Sequence, residues 1–255
     1  MSPLPRSQNR VPASVRARVE RARQALGDRR AAVHYDWLRA LTGASAERVA
    51  DVLSEVEELL PFEERMRAEH RAEGRPHYAQ FRAPFELYGL VRLLRPDHIV
   101  ETGVSSGVST AHLLLGVRRN RHGTVHSIDF PIPQRGERFS ARDSVVALPP
   151  GRSSGWVIPP ELRAGWDLRI GPSERVLPRL VAELPAIGLF LHDSQHTPRH
   201  LSFELDAVRP KLFPGAVVLA DNTVWTGAAF PRFARSVGAP VRARGRSDLV
   251  GLVMP

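Results

Sequence analysis

The spacing of apolar residues divides the chain into two parts. From Val15 to about Arg71, apolar residues recur three and four positions apart, as in "SAERVADVLSEVEELL", and this spacing predicts amphipathic helices. Ser45 stands where a helix N-cap is expected. Another helix is predicted over 84–94. From residue 99 onward, short apolar runs alternate with helical patterns, which is typical of an α/β protein with a doubly wound, mostly parallel sheet.

The second part contains five predicted strands and three predicted helices. The strands are 99–102, 124–128, 167–170, 187–192 and 216–220, and the helices are 109–117, 173–183 and 198–209. Residues 131–165 are an irregular insertion rich in Pro, Gly, Ser and Arg. The last residues predict two strands around a Gly-Arg-Ser-Asp turn, which would give the sheet an antiparallel C-terminal edge. The expected regions are a disordered tail at 1–12, a helical cap or oligomerisation region at 13–77 and an α/β domain at 78–255.

The charge of the chain raises the question of a nucleic-acid partner, because 36 basic residues outweigh 27 acidic ones and give a net charge of +9. Every basic residue except Lys211 is an arginine, and many are interleaved with acids, as in "PFEERMRAEHRAEGR". This pattern favours a solvated arginine-rich surface over a nucleic-acid footprint. The chain has no cysteine, which excludes disulfides, thiolate metal sites and a cysteine nucleophile. It has no apolar run that resembles a membrane span or a signal peptide, so a cytoplasmic location is expected.

The stretch "HIVETGVSSGVSTAHLLLG" combines a strand, a glycine-containing turn and the start of a helix. Gly103 and Gly107 permit close backbone approach, while Ser109 and Thr110 are expected to cap the helix, whose N–H groups would then face an anion. The spacing differs from the G-x-G-x-x-G of dinucleotide folds, so a plain helix cap stays an alternative. Asp129, at the end of the next strand, favours a nucleoside ligand, because a carboxylate there can accept from both ribose hydroxyls.

With these two motifs, the chain resembles the class I S-adenosylmethionine-dependent methyltransferases, whose fold is Rossmann-like. "ETGVSSGVST" is similar to their first motif and "SIDFP" to their second, and the similarity covers about residue 78 to the C-terminus. The resemblance implies that S-adenosylmethionine is the cofactor, that Asp129 binds its ribose, and that Ser173 and Glu174 lie at the adenine edge. The other implied cofactor contacts, mostly around the methionine part, are Glu101, Gly103, Val104, Ser105, Gly107, Ser109 and Asp193.

Oxygen ligands end two neighbouring strands of the predicted sheet. Asp193 follows the apolar run in "FLHDSQHTPRH", and Asp221 and Asn222 follow the next run. Because the carboxyl ends of parallel strands meet in one crevice, these side chains are expected to lie together as ligands of Mg²⁺ or a similar hard cation. Their spacing also resembles the divalent-metal site of catechol-type O-methyltransferases.

Three histidines stand close to Asp193 in the sequence. Zinc is one interpretation, but His192 should point to the other side of its strand, and Pro198 interrupts the segment between His196 and His200. His192 and His200 are therefore interpreted as structural. The predicted catalytic residues are Asp193 and His196, since the chain resembles sugar O-methyltransferases of macrolide pathways that have a histidine at this place. An imidazole there can act as general base, and a solvated turn residue is the alternative for His196.

The leading hypothesis is a metal-assisted O-methyltransferase that acts on a sugar or natural-product hydroxyl. A second hypothesis keeps the cofactor but transfers the methyl group, without a metal, to the nitrogen of an amine or guanidine. A third is an RNA-binding or RNA-modifying protein that uses the arginine-rich surface. We expect a small-molecule substrate and a homo-oligomer, and we expect neither nucleic acid nor a membrane as partner. The sequence does not identify the acceptor, because the cap and the insertion contain no readable motif.

Overall fold

The structure, a computed structural model, describes residues 35–73, 81, 83–131, 148–245 and 248–255. The predicted tail at 1–12, the helical pattern from Val15 to residue 34, and residues 132–147 of the insertion lie outside the described residues. Within the described ranges, no helix is both long enough and apolar enough to cross a membrane.

Seven strands form one sheet in the order β3-β2-β1-β4-β5-β7-β6. The first five strands are parallel, and β7 pairs antiparallel with both β5 and β6. This confirms the doubly wound, mostly parallel sheet with an antiparallel C-terminal edge. The strands are β1 (His98–Thr102), β2 (Thr124–Asp129), β3 (Trp166–Ile170), β4 (Ile187–His192), β5 (Leu212–Ala220), β6 (Arg242–Ala243) and β7 (Val250–Val253).

Helices cover both faces of the sheet. The continuous apolar run of β4 is explained by this arrangement, because all six of its residues are buried between the two helical layers. One layer contains α1 to α5 and the other contains α6 to α8. The helices are α1 (Tyr35–Thr42), α2 (Ala46–Ser54), α3 (Leu60–Ala72), α4 (Pro84–Leu94), α5 (Val108–Asn120), α6 (Ser173–Glu183), α7 (Pro198–Val208) and α8 (Ala229–Val237).

The first three helices of the described residues share a core with the sheet. Leu38 of α1 and Leu53 of α2 are buried in the same apolar cluster as Leu191 of β4. The indole Nε1 of Trp37 donates to the carbonyl of Arg242 at 2.8 Å, which connects α1 to β6. The role of residues 13–77 as a cap or oligomerisation region stays a prediction.

Most elements agree with the sequence prediction. Ser45 caps α2, since its hydroxyl accepts from the Arg48 N–H at 3.2 Å. The described part of the insertion from residue 148 is irregular apart from one short 3₁₀ segment, Pro160–Leu162. Helix α8 was not predicted, and it contains Pro231. That proline lies in the first turn, where a missing N–H costs no intrahelical hydrogen bond.

Candidate active site

The carboxyl ends of the central strands are aligned at one edge of the sheet. Gly103, Asp129, Asp193 and Asp221 stand at or just after the ends of β1, β2, β4 and β5. Three backbone hydrogen bonds hold these ends together, from the N–H of Gly103 to Ile128 O at 2.9 Å, of Asp193 to Thr102 O at 2.8 Å and of Asp221 to His192 O at 2.9 Å. The predicted convergence of these strand ends is therefore present.

The glycines of the loop after β1 are required by close packing, as predicted. Gly103 has a φ of +88°, and a Cβ atom added to it would lie 2.0 Å from the carbonyl oxygen of Asp193. Gly107 has a φ of +99°, and its added Cβ would lie 2.7 Å from a side-chain carbon of Ile158. The loop is thus pressed between the turn after β4 and the described part of the insertion, with no space for a side chain at either glycine.

Glu101, on β1, is hydrogen-bonded to residues at the start of the helix that follows this loop. Its carboxylate is fully buried and accepts hydrogen bonds from the hydroxyls of Ser109 at 2.6 Å, Thr110 at 2.6 Å and Ser127 at 2.8 Å. Burial raises the pKa of Glu101 to about 7. The expected capping by Ser109 and Thr110 is wrong, because α5 begins after Gly107 without a side-chain cap and both hydroxyls donate to Glu101 instead. Direct contact of Glu101 and Ser109 with the cofactor stays a prediction.

Asp129 faces the glycine loop from the end of β2. Its two carboxylate oxygens accept from the N–H groups of Val104 and Ser105, each at 3.3 Å. The hydroxyl of Ser154 also donates to this carboxylate. Sequence reasoning missed Ser154, because it comes from the insertion and reaches Asp129 only through the folding of the chain. Residues 154–158 lie across the loop, with the N–H of Gly155 bonded to Ser105 O at 2.8 Å.

Ser173 and Glu174, the predicted adenine-edge residues, begin α6 just after β3. The Ser173 hydroxyl lies 2.9 Å from Nε2 of His200, and a carboxylate oxygen of Glu174 lies 3.2 Å from Nδ1 of the same ring. They stand at the same edge of the sheet as Asp129 and contact α7, and two strands, β2 and β1, lie between β3 and the strand that ends at Asp193.

Asp193, His196 and Asn222 form a group at the ends of β4 and β5. Nε2 of His196 lies 3.1 Å from Nδ2 of Asn222 and 3.8 Å from a carboxylate oxygen of Asp193. The pKa of the Asp193 carboxyl is raised well above its usual value, first by burial and then by the negative charges of Asp221, Glu101 and Asp129. The structure thus brings together all four side chains predicted as metal ligands or catalytic residues.

Metal binding itself stays a prediction. The described residues contain no group of three or more His, Cys, Asp or Glu side chains arranged to hold a metal ion. The predicted ligand set has two carboxylates, and its third member is the amide oxygen of Asn222. The zinc interpretation gains no support among the described residues for the same reason.

His192 and His200 bind elsewhere, as their structural interpretation requires. Thr197 caps α7 by accepting from the His200 N–H at 3.2 Å, so His196 precedes the helix and His200 lies in its first turn. Nδ1 of His192 and Nε2 of His200 both lie within hydrogen-bond distance of Glu204, at 2.7 and 2.9 Å. Sequence reasoning did not identify Glu204, because a single acid on a helix has no distinguishing pattern.

An aromatic side chain stands beside His196. The indole ring of Trp225 is 40% exposed, and its centroid lies 5.9 Å from that of the imidazole. Val224, next to it, is also exposed. Sequence reasoning missed both residues, although their position just after Asn222 could have indicated them.

Comparisons with known proteins agree with this geometry. Residues 100–223 match the model of a family described as a methyltransferase domain. No curated protein matches the chain. The solved structures of similar fold include the O-methyltransferase NovP, with 18% identity, a TM-score of 0.57 and coverage of 76% of this chain and 98% of that one. They also include the O-methyltransferase TomG from Streptomyces achromogenes in complex with S-adenosylmethionine, with 19% identity, a TM-score of 0.52 and coverage of 76% and 90%.

At such identities, the likeness to these structures is one of fold. The matched domain spans the glycine loop, Asp129 and the ends of β4 and β5. These parts contain the two sequence motifs and the strand-end acids on which the predicted site was based. Residues 100–223 are thus a methyltransferase domain, and the fold of the chain is that of the class I S-adenosylmethionine-dependent methyltransferases.

Proposed function

We propose that the protein transfers the methyl group of S-adenosylmethionine to a hydroxyl of a small molecule, such as a sugar or another natural product, with His196 as general base. We further propose a divalent cation, Mg²⁺ or a similar ion, at Asp193, Asp221 and Asn222. The observation that carries the proposal is the position of His196, whose Nε2 lies within 4 Å of both Asp193 and Asn222 at the carboxyl edge of the sheet.

His196 is held in a form suited to accept a proton. An amide Nδ2 can only donate, so the 3.1 Å contact from Asn222 requires a lone pair on Nε2 of His196. The side chain of His196 is largely buried, with 10% of its surface exposed, which restricts its rotation. An imidazole has an ordinary pKa near neutrality and can therefore remove a hydroxyl proton under physiological conditions.

The acid pair fits a hard cation. Burial raises the pKa of the Asp193 carboxyl, and the negative charge of Asp221 raises it further. Two carboxylates and an amide carbonyl are oxygen ligands of the kind that Mg²⁺ binds. When bound, such a cation would lower the pKa of an acceptor hydroxyl, and S-adenosylmethionine would supply an electrophilic methyl group.

The residues of the chain then have separate tasks. The acceptor oxygen forms a bond to the methyl carbon as the bond from that carbon to sulfur breaks, and the hydroxyl proton passes to Nε2 of His196. Asn222 gives up its hydrogen bond to Nε2 as the hydroxyl proton arrives, and the carboxylate of Asp193, 3.8 Å away, stabilises the imidazolium that forms. Asp129 and the glycine loop hold the cofactor.

The surface beside His196 supports an acceptor with an apolar or ring-shaped face. Val224 and Trp225 are 65% and 40% exposed and follow Asn222 after one intervening residue, Thr223. An exposed indole offers a flat surface on which a sugar or aromatic ring can stack. NovP and TomG are named as O-methyltransferases, and TomG takes part in tomaymycin synthesis.

The proposal is tested with a panel of acceptors. The purified protein is incubated with S-adenosylmethionine, Mg²⁺ and matched hydroxyl and amine acceptors, and both S-adenosylhomocysteine and methylated product are measured. We expect turnover of hydroxyl acceptors that stops after chelation and in Asp193→Ala. Asp206→Ala, an exposed acid on α7, is the control and should keep full activity. Turnover of amine acceptors alone, unaffected by chelation, would replace the proposal with metal-free N-methylation.

A further inference from the structure

Glu204 is a buried acid outside the groups assigned above. It lies on α7, and its side chain has no exposed surface. Its carboxylate is surrounded by four side-chain partners, Thr102 Oγ1 at 2.6 Å, His192 Nδ1 at 2.7 Å, Ser194 Oγ at 2.9 Å and His200 Nε2 at 2.9 Å. The carboxylate can therefore accept from all four of them.

Three of these partners are next in sequence to residues of the candidate active site. That site lies at the carboxyl edge of the sheet, which is called the active edge below. Thr102 is the last residue of β1 and precedes Gly103, where the glycine loop starts. His192 and Ser194 stand on either side of Asp193. Glu204 thus connects the end of β1 and the turn after β4 to the same helix, although it belongs to neither.

The fourth partner, His200, extends this connection to α6. Its Nε2 contacts Glu204, and its Nδ1 lies 3.2 Å from the carboxylate of Glu174 at the start of α6. Carboxylates at both ring nitrogens favour the imidazolium form of His200, in which each nitrogen can donate. Burial by itself lowers the pKa of His200, but the hydrogen bonds and charges of Glu204 and Glu174 outweigh it and raise the pKa.

A buried carboxylate is costly, and apolar side chains in its place are often at least as stabilising. Burial raises the pKa of Glu204, but His192 and His200 outweigh this and hold it well below the usual range. An ionised carboxylate has two oxygens that only accept hydrogen bonds, which suits four converging donors. Its presence at this place is explained if the donors must be held in fixed relative positions.

We propose that Glu204 is a positioning residue that fixes the glycine loop, the turn containing Asp193 and the start of α6 relative to one another. Its loss should weaken cofactor binding even though its own side chain is fully buried. The inference rests on the binding of S-adenosylmethionine at this edge, and it is independent of the acceptor and of the metal.

The test compares variants by calorimetric titration with S-adenosylhomocysteine, at a temperature where circular dichroism shows each variant to be folded. Glu204→Ala should bind about 10- to 100-fold more weakly than the wild type, which is the range for groups that hold direct ligands in place. Glu204→Gln keeps the shape and one acceptor oxygen, so its affinity should lie between those of Glu204→Ala and the wild type.

Glu55→Gln is the matched control. Glu55 accepts from Arg92 Nε at 2.7 Å and from the Tyr88 hydroxyl, in a network near the end of α4 and away from the active edge. This variant should lower the midpoint of thermal unfolding but leave the affinity within about twofold, since distant sites act independently.

Two outcomes would overturn the role of Glu204. One is a folded Glu204→Ala that binds within about twofold of the wild type. The other is a loss in Glu55→Gln as large as that in Glu204→Gln, which would make the effect one of general stability. If Glu204→Ala does not fold, Glu204→Gln and Ser194→Ala decide by the same criteria. A wild type that does not bind S-adenosylhomocysteine would overturn the methyltransferase assignment itself, and this result is distinct from the other two.

Discussion

Asp129 is the residue on which the ribose assignment depends. Asp129→Ala should weaken the binding of S-adenosylhomocysteine by about 1–3 kcal/mol, because buried hydrogen-bond donors lose their acceptor. Part of the loss will come from Val104 and Ser105, whose N–H groups also donate to this carboxylate. Calorimetry measures the change, with Asp206→Ala as an exposed control. An unchanged affinity would remove Asp129 from the cofactor site.

His196 is the residue on which the chemistry depends. His196→Ala should reduce turnover by about 10²- to 10⁴-fold, the usual range for a general base, with little change in cofactor affinity. His196→Lys should recover part of the rate at higher pH, where the amine is deprotonated more often. Steady-state kinetics with an acceptor from the panel measures both, and His122→Ala, a half-exposed histidine beside Asp97, is the control. Near-full activity in His196→Ala would rule out His196 as the base.

At the scale of elements, Gly103 shows how closely β1 and β4 approach each other. Gly103→Ala should abolish the binding of S-adenosylhomocysteine and destabilise the fold, because the new Cβ would lie 2.0 Å from a backbone oxygen of Asp193. Gly43→Ala is a matched control, since Gly43 also has a positive φ, +66°, but nothing within 4 Å of an added Cβ. It should cost only about 1–2 kcal/mol of backbone strain. Urea unfolding and calorimetry compare the two, and equal effects would contradict the close approach.

The elements also show what the sequence can predict. Strand-end residues such as Asp129, Asp193 and Asp221 were predictable, because apolar runs mark the strands and parallel strands end at one edge. Ser154 and Glu204 were not predictable. Each contacts its partner only because folding brings distant segments of the chain together, and no local sequence pattern indicates such a contact. Glu204 lies 102 positions from Thr102, to which it is bonded. The local sequence pattern also gave a wrong prediction at Ser109, which was expected to cap a helix but whose hydroxyl donates to Glu101.

At the scale of the whole molecule, Glu101 connects the site to global stability. Burial raises its pKa from 4.5 to about 7, so the folded state binds the proton more tightly than the unfolded state does. Its contribution to stability is therefore full below pH 4.5 and falls as the pH rises to about 7. Glu101→Gln does not titrate, so the difference in unfolding free energy between it and the wild type should change by about 3 kcal/mol across this interval. Parallel curves of unfolding free energy against pH for the two proteins would contradict this.

The proposed methyl transfer depends on a divalent cation at the edge of the sheet where β4 and β5 end. A crystal grown with S-adenosylhomocysteine and Mn²⁺, measured for anomalous scattering from manganese, tests this claim without knowledge of the acceptor. The proposed metal site predicts an anomalous peak within about 2.5 Å of oxygens of Asp193, Asp221 and Asn222, next to His196 and the bound cofactor product. A map with S-adenosylhomocysteine in place but no peak among these three residues would contradict it.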